Sequence, residues 1–226
     1  MPSSDITYNT RTGESFSGIL TQPEGEGDLP GIVLVTAIFG IDDEMIELAE
    51  AYAADGYLVS VPDYFWRQTP GPTADREVAF ARMKNYDRKQ GIDDIEDVIT
   101  DLRSHPLCNG KIAVLGFCFG GWIAHVSAAR FGINAAGCYH GTQIGNYLDE
   151  TPNISCPVSF HFGSEDPAVP MDEVNQIQNA YKDLVNAEIV VHRGVGHNFS
   201  MPYKPGYNVD VANSSREAVL NCFRQM

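Results

Sequence analysis

Lys111-Ile112-Ala113-Val114-Leu115-Gly116-Phe117-Cys118-Phe119-Gly120-Gly121 is the stretch of this 226-residue chain that decides its fold. Its opening, Lys111–Gly116, is an apolar run of the kind buried on both faces of a parallel sheet. Small residues then continue as a predicted helix to about Arg130. Strand and helix are joined by Gly-x-Cys-x-Gly, a turn so sharp that the residues two before and two after its apex must be small. Gly116 and Gly120 meet that demand, and Cys118 stands at the apex.

On both sides of this segment strands and helices alternate. Apolar runs predict strands at Gly31–Ala37, Tyr57–Val61, Ile133–Tyr139, Pro157–Phe162 and Ala187–His192. Helical spacing predicts helices at Asp42–Asp55, Ala74–Tyr86, Asp93–Ser104, Met171–Leu184 and Val209–Arg224, the second and third separated by Gly91. Thr7–Leu20 alternates as an antiparallel edge hairpin does. Gly25–Pro30 is a turn-rich loop too short to separate domains, and no repeat or low-complexity tract occurs. The expectation is one α/β domain over residues 1–226, its mainly parallel sheet covered by helices on both faces.

Composition narrows the function. Thirty acidic against 15 basic residues give a net charge of −15, which repels phosphate backbones and anionic lipid and argues against nucleic-acid or membrane partners. No apolar run reaches the ~18 residues of a membrane span, and Met1–Tyr8 lacks the layout of a secretory signal, so a cytoplasmic location is expected. The five cysteines (108, 118, 138, 156 and 222) are odd in number and form no Cys-x-x-Cys. No metal site is expected, and reduced, mostly buried thiols fit best.

Cys118 is the exception among them. Gly-x-Cys-x-Gly has the layout of the Gly-x-Ser-x-Gly nucleophile elbow of α/β-hydrolases, with sulfur for the hydroxyl. A helix N-terminus and an imidazolium partner lower a thiol's pKa by several units. The Phe119 amide, and that of Ile38 in Thr36-Ala37-Ile38-Phe39-Gly40, are the candidate oxyanion donors. The competing reading of the turn is a structural glycine bend around a buried cysteine; the glycine spacing does not match a dinucleotide fingerprint. In this fold the acid and then the histidine follow the nucleophile along the chain. Asp166, just past Pro157–Phe162, is the candidate acid; the Pro167-Ala168 turn after it favours it over Glu165. His197, after Gly196 and past Ala187–His192, is the candidate base, taking the thiol proton and later activating water. His125 and His161 are expected to be packed and hydrogen-bonded; ordinary packing is the favoured reading of His140 too, with a place at the pocket border as its alternative.

These residues, with Pro62-Asp63, Asn109-Gly110-Lys111, His161-Phe162-Gly163 and Gly196-His197-Asn198-Phe199, resemble the dienelactone hydrolases (carboxymethylenebutenolidases) over nearly the whole chain. A cysteine in the elbow is that family's most specific mark. The resemblance implies opening of a cyclic enol-lactone to an oxo acid, as in degradation of chloroaromatics, a small-molecule substrate, no cofactor, and a monomer or weak homo-oligomer. It places a substrate-carboxylate arginine at Arg76. Two positions depart from the family: Ala37 where its members have a thiol-activating glutamate, and Met201 where they have a second arginine, with Lys204 or Arg193 as possible substitutes. Phe39, Tyr64, Phe65, Trp66 and Tyr139 are candidate pocket residues, with ordinary packing as the competing account of each. Three functions stay open at this point: hydrolysis of an anionic dienelactone through a thioester, hydrolysis of a neutral ester, lactone or thioester, and a silent relative that binds a small ligand.

Overall fold

The computed structural model describes residues 3–25 and 27–226. They fall into two compact units, Met1–Ala113 and Val114–Met226. The first holds strands β1 (Ser3–Asn9), β2 (Ser15–Thr21), β3 (Leu29–Val35), β4 (Leu58–Pro62) and the opening of β5 (Cys108–Phe117). Its helices are α1 (Asp43–Ala54), α2 (Arg76–Lys84) and α3 (Arg88–Arg103). Its strands lie in the order β1-β2-β4-β3-β5. The hairpin β1–β2 is antiparallel with Tyr8 opposite Phe16, β2 runs antiparallel to β4, and β3 runs parallel to β4. Ile32, Val33, Leu34, Leu58, Val59 and Val61 are all fully buried, which is why these strands read as unbroken apolar runs.

The second unit begins inside β5. It continues through α4 (Gly120–Arg130), β6 (Ala135–Tyr139), β7 (Val158–Gly163), α5 (Met171–Tyr181), β8 (Ala187–His192) and α6 (Val209–Phe223). Strand order is β5-β6-β7-β8, and the pairs β6–β7 and β7–β8 are parallel. In such a sheet catalytic loops collect at the C-terminal strand ends. No helix of the described residues is long and apolar enough to cross a membrane.

The expected α/β architecture is present; β5 opens at Cys108 rather than Lys111, β6 at Ala135 rather than Ile133, α5 ends at Tyr181 rather than Leu184, and three further local differences follow. Gly91 does not separate two helices; it lies inside α3, which begins at the N-cap Asp87. Glycine is needed there because a Cβ would overlap the ring of Tyr86, so the signal read as a break is a close-packing site. Residues Ile144–Asn153, given no element by periodicity, form 3-10 turns with a kink at Tyr147. They are held from α4: Trp122 stacks on Tyr147 at 5.2 Å, and His125 Nε2–H donates to the Tyr147 carbonyl at 2.8 Å. Leu29 and Pro30, read as loop, open β3. Of the loop Gly25–Pro30, Glu26 lies outside the described residues, as do Met1 and Pro2 of the N-terminal reading.

Candidate active site

Cys118 sits where β5 gives way to α4, with a left-handed φ of 51°. That conformation costs a non-glycine residue about 1–3 kcal/mol and persists only where the surroundings enforce it. Here they do so through the backbone. The Cys118 N–H donates to Tyr139 O at 3.1 Å, and Cys118 O accepts from Gly121 N–H at 3.0 Å and Thr142 N–H at 2.9 Å. A Cβ on Gly116 would overlap the carbonyl of Gly120, which is the small-residue demand read from the motif.

Asp166 lies in the loop after β7 and is 5% exposed, whereas its neighbour Glu165 points to solvent. Asp166 Oδ1 accepts the Ala168 N–H at 2.8 Å, which fixes the carboxylate in the turn that Pro167-Ala168 signalled. Its Oδ2 lies 2.7 Å from His197 Nδ1. Because a carboxylate only accepts, Nδ1 carries the proton and Nε2 is left to face the sulfur. His197 Nε2 stands 3.0 Å from Cys118 Sγ. Gly163 makes this approach possible: a Cβ there would overlap the carbonyls of Val195 and Gly196, in the loop that carries His197. Cysteine, histidine and aspartate thus form one hydrogen-bonded chain, wholly within the second unit.

A model of the dienelactone hydrolase family matches residues 16–226. The chain belongs to the dienelactone hydrolase family. It is similar to a carboxymethylenebutenolidase of Pseudomonas putida, 28% identical over 222 residues that cover 96% of this chain and 94% of the relative. Carboxymethylenebutenolidase 1 of Cupriavidus pinatubonensis is 29% identical over 214 residues, covering 92% and 91%. Among solved structures, a dienelactone hydrolase-like promiscuous phosphotriesterase from metagenomic libraries superposes with a TM-score of 0.87 at 22% identity, covering 99% and 98%. An α/β hydrolase of a Penicillium species reaches 0.72 at 18% identity over 100% and 99%. The fold is that of the α/β hydrolases, and the chain is a hydrolase of carboxylic esters or lactones.

Electrostatics in this family member's second unit set its histidines apart. Burial opposes a charge on His197, but the hydrogen bonds to Asp166 and Cys118 and their negative charge outweigh it, raising its pKa to about 10. His140, just past β6, is pushed the other way, well below the usual imidazole value, by complete burial and by the facing charge of His197. His161 falls to about 3 through burial and the adjoining His192, to which it is hydrogen-bonded at 3.0 Å. His125 and His161 are packed and hydrogen-bonded, as the sequence suggested. Tyr139 is buried, stacked between Phe117 (4.9 Å) and His161 (5.8 Å). Phe119 is fully buried at the start of α4, edge-on to Trp122. Met201 is 2% exposed.

The remaining expected residues lie in the first unit. Ile38 is buried past β3, and the Ala37 carbonyl accepts the Gly40 N–H, closing the turn in which it stands. The Phe39 carbonyl accepts Thr73 N–H at 2.9 Å, and Tyr64 donates its hydroxyl proton to Thr36 O at 2.9 Å. Trp66 stacks on Phe16 at 5.2 Å, donates its indole N–H to Asp94, and carries Arg67 over its face. Arg76 opens α2, exposed, over the ring of Phe80. Sequence reading overlooked Arg82, a buried guanidinium that donates to the carbonyls of Ile38 (2.7 Å), Thr69 (3.2 Å) and Gly71 (2.9 Å). Its only signal was sharing a face of α2 with buried Ala79, three residues earlier.

Proposed function

We propose that the protein hydrolyses a carboxylic ester or lactone through a thioester on Cys118, with His197 and Asp166 completing a catalytic triad. The observation that carries this is the continuous chain from Asp166 Oδ2 through His197 to Cys118 Sγ at 2.7 and 3.0 Å. His197 takes the thiol proton, and the thiolate attacks the carbonyl carbon to give a tetrahedral oxyanion. Amides of Phe119 and, on sequence grounds, Ile38 receive that oxyanion. Collapse breaks the carbon–oxygen bond, and His197 returns the proton to the leaving oxygen. In an enol-lactone that oxygen stays tethered, leaving an enol that tautomerises to the oxo acid. Water, deprotonated by His197, then attacks the thioester and releases the carboxylate and the thiol. Asp166 holds the imidazole in the tautomer these steps require.

An enol-lactone bearing a carboxylate is the substrate class the family resemblance favours, with Arg76 as its clamp. Met201 favours a second reading, a neutral ester or lactone, because an apolar side chain that is 2% exposed provides no charge for a carboxylate. The experiment is hydrolysis of dienelactone followed by ultraviolet absorbance, with wild type and Cys118→Ala side by side. Turnover that vanishes with the thiol supports both nucleophile and substrate. Turnover that survives Cys118→Ala sinks the nucleophile. Turnover of a neutral aryl ester but not of dienelactone replaces the substrate and keeps the mechanism.

A further inference from the structure

Resting on the proposed Cys118–His197 chemistry, we infer that the exit of β6, Tyr139–Thr142, is the gauge that sets thiol and imidazole apart, with His140 as its positioning residue. The segment grips Cys118 by both backbone groups: Tyr139 O accepts its N–H at 3.1 Å, and Thr142 N–H donates to its carbonyl at 2.9 Å. Between those two anchors the His140 ring lies against His197, centroids 4.6 Å apart at 56°. This short segment therefore touches the nucleophile through backbone and the base through a side chain. His197 is held at Nδ1 by Asp166 and at Nε2 by Cys118, two contacts on the ring edge; His140 packs against the ring itself and resists its displacement from that line.

His140 is itself firmly held. Its N–H donates to His161 O at 2.7 Å, and its Nε2 is hydrogen-bonded to Ser200 Oγ at 3.2 Å, on the loop that carries His197. Phe199 meets its ring edge-on at 5.7 Å and Phe117 at 6.3 Å. Its φ of 41° lies in the region non-glycine residues seldom occupy, and its Nδ1 is buried without a hydrogen-bond partner. A strained backbone and an unsatisfied nitrogen both cost stability, which points to retention for positioning. Titratable groups facing His197 are Asp166 from the β7 loop, Cys118 from the elbow and His140 from the β6 exit. Facing His140 is His197, with His192 beyond Phe199. Kept neutral by burial, His140 braces an imidazolium without adding a second positive charge.

The test is the pH profile of iodoacetamide alkylation, read by mass spectrometry at the Cys118 peptide, alongside kcat and KM on an aryl ester. His140→Ala is expected to slow alkylation at neutral pH about tenfold and to change the shape of its pH profile. Its kcat falls roughly 10- to 100-fold, the scale of a misplaced reacting group, with KM within about threefold. His140→Phe, which keeps a ring against His197, stays within about fivefold of wild type. An unchanged profile and kcat in folded His140→Ala overturn the inference. Should that variant not fold, Ser200→Ala carries the test: alkylation slowed about threefold supports it, and wild-type behaviour overturns it. His197→Ala separates the two levels, since an unaltered Cys118 profile there refutes the thiol–imidazole pair itself.

Discussion

Asp166 and Glu165 are neighbours of the same chemistry with opposite environments. The side chain of Asp166 is withdrawn from solvent and anchored by two backbone amides, so its second oxygen is aimed at His197. Asp166→Asn is expected to lower kcat by about 10²–10³-fold with little change in KM, because the amide no longer selects the productive tautomer. Glu165→Gln, at an exposed position, stays near wild type; steady-state kinetics on one ester checks both. The charge on His197 also has a signature in stability. Its folded pKa, about 10, lies above the unfolded value near 6.5. The contribution of the imidazolium is therefore complete below about pH 6.5 and is lost as pH rises through about 10. The Tm difference between wild type and His197→Ala should narrow across that window. At this scale the three side chains of the proposed triad were legible in Gly116–Gly120, Asp166–Ala168 and Gly196–His197, and the structure brings them within hydrogen-bond distance of one another. The contact of His140 was not legible, because nothing in Tyr139-His140-Gly141 says that its ring meets the imidazole of His197.

Elements were read well wherever the apolar pattern is continuous and turn residues bound it. β8 has the expected bounds, and α1 is one residue shorter at each end because its caps, Asp42 and Asp55, were counted in. The misreading of α3 shows the limit: glycine is a local signal with two meanings, a break or a close approach. Gly91→Ala is expected to destabilise the fold by about 1–3 kcal/mol through overlap with the Tyr86 ring, far from the gain an exposed helix would show. Asp87→Ala, which removes the side chain accepting Gln90 N–H, should cost about 1 kcal/mol. Urea midpoints at constant m-value measure both. The turns at Ile144–Asn153 were invisible because Trp122 and His125 of α4 hold them, not any periodicity of their own.

Across the molecule, several histidines are buried and neutral, and they make acid the weak side of its stability. His161 is the clearest: its folded pKa, about 3, lies below the unfolded 6.5. Below pH 6.5 the unfolded chain takes up a proton that the folded chain refuses, so stability falls with acidification, by about 1.4 kcal/mol per pH unit per group. His161→Gln should lose about 2 kcal/mol less than wild type between pH 6.5 and 5, measured by urea denaturation at both values. The sequence by itself determined the alternation of strands and helices, the tight turn at Cys118 and the chain order of Cys118, Asp166 and His197. These follow from short-range causes: burial periodicity, the conformations glycine permits, and turn chemistry. Only the tertiary structure decided that His197 Nε2 meets a sulfur 79 residues earlier at 3.0 Å, that Arg82 is buried under the Ile38 turn, and that the rings of His140 and His197 lie 4.6 Å apart. Those distances are set by parallel strand register and by which loops share a sheet edge, and such long-range packing leaves no period in the chain.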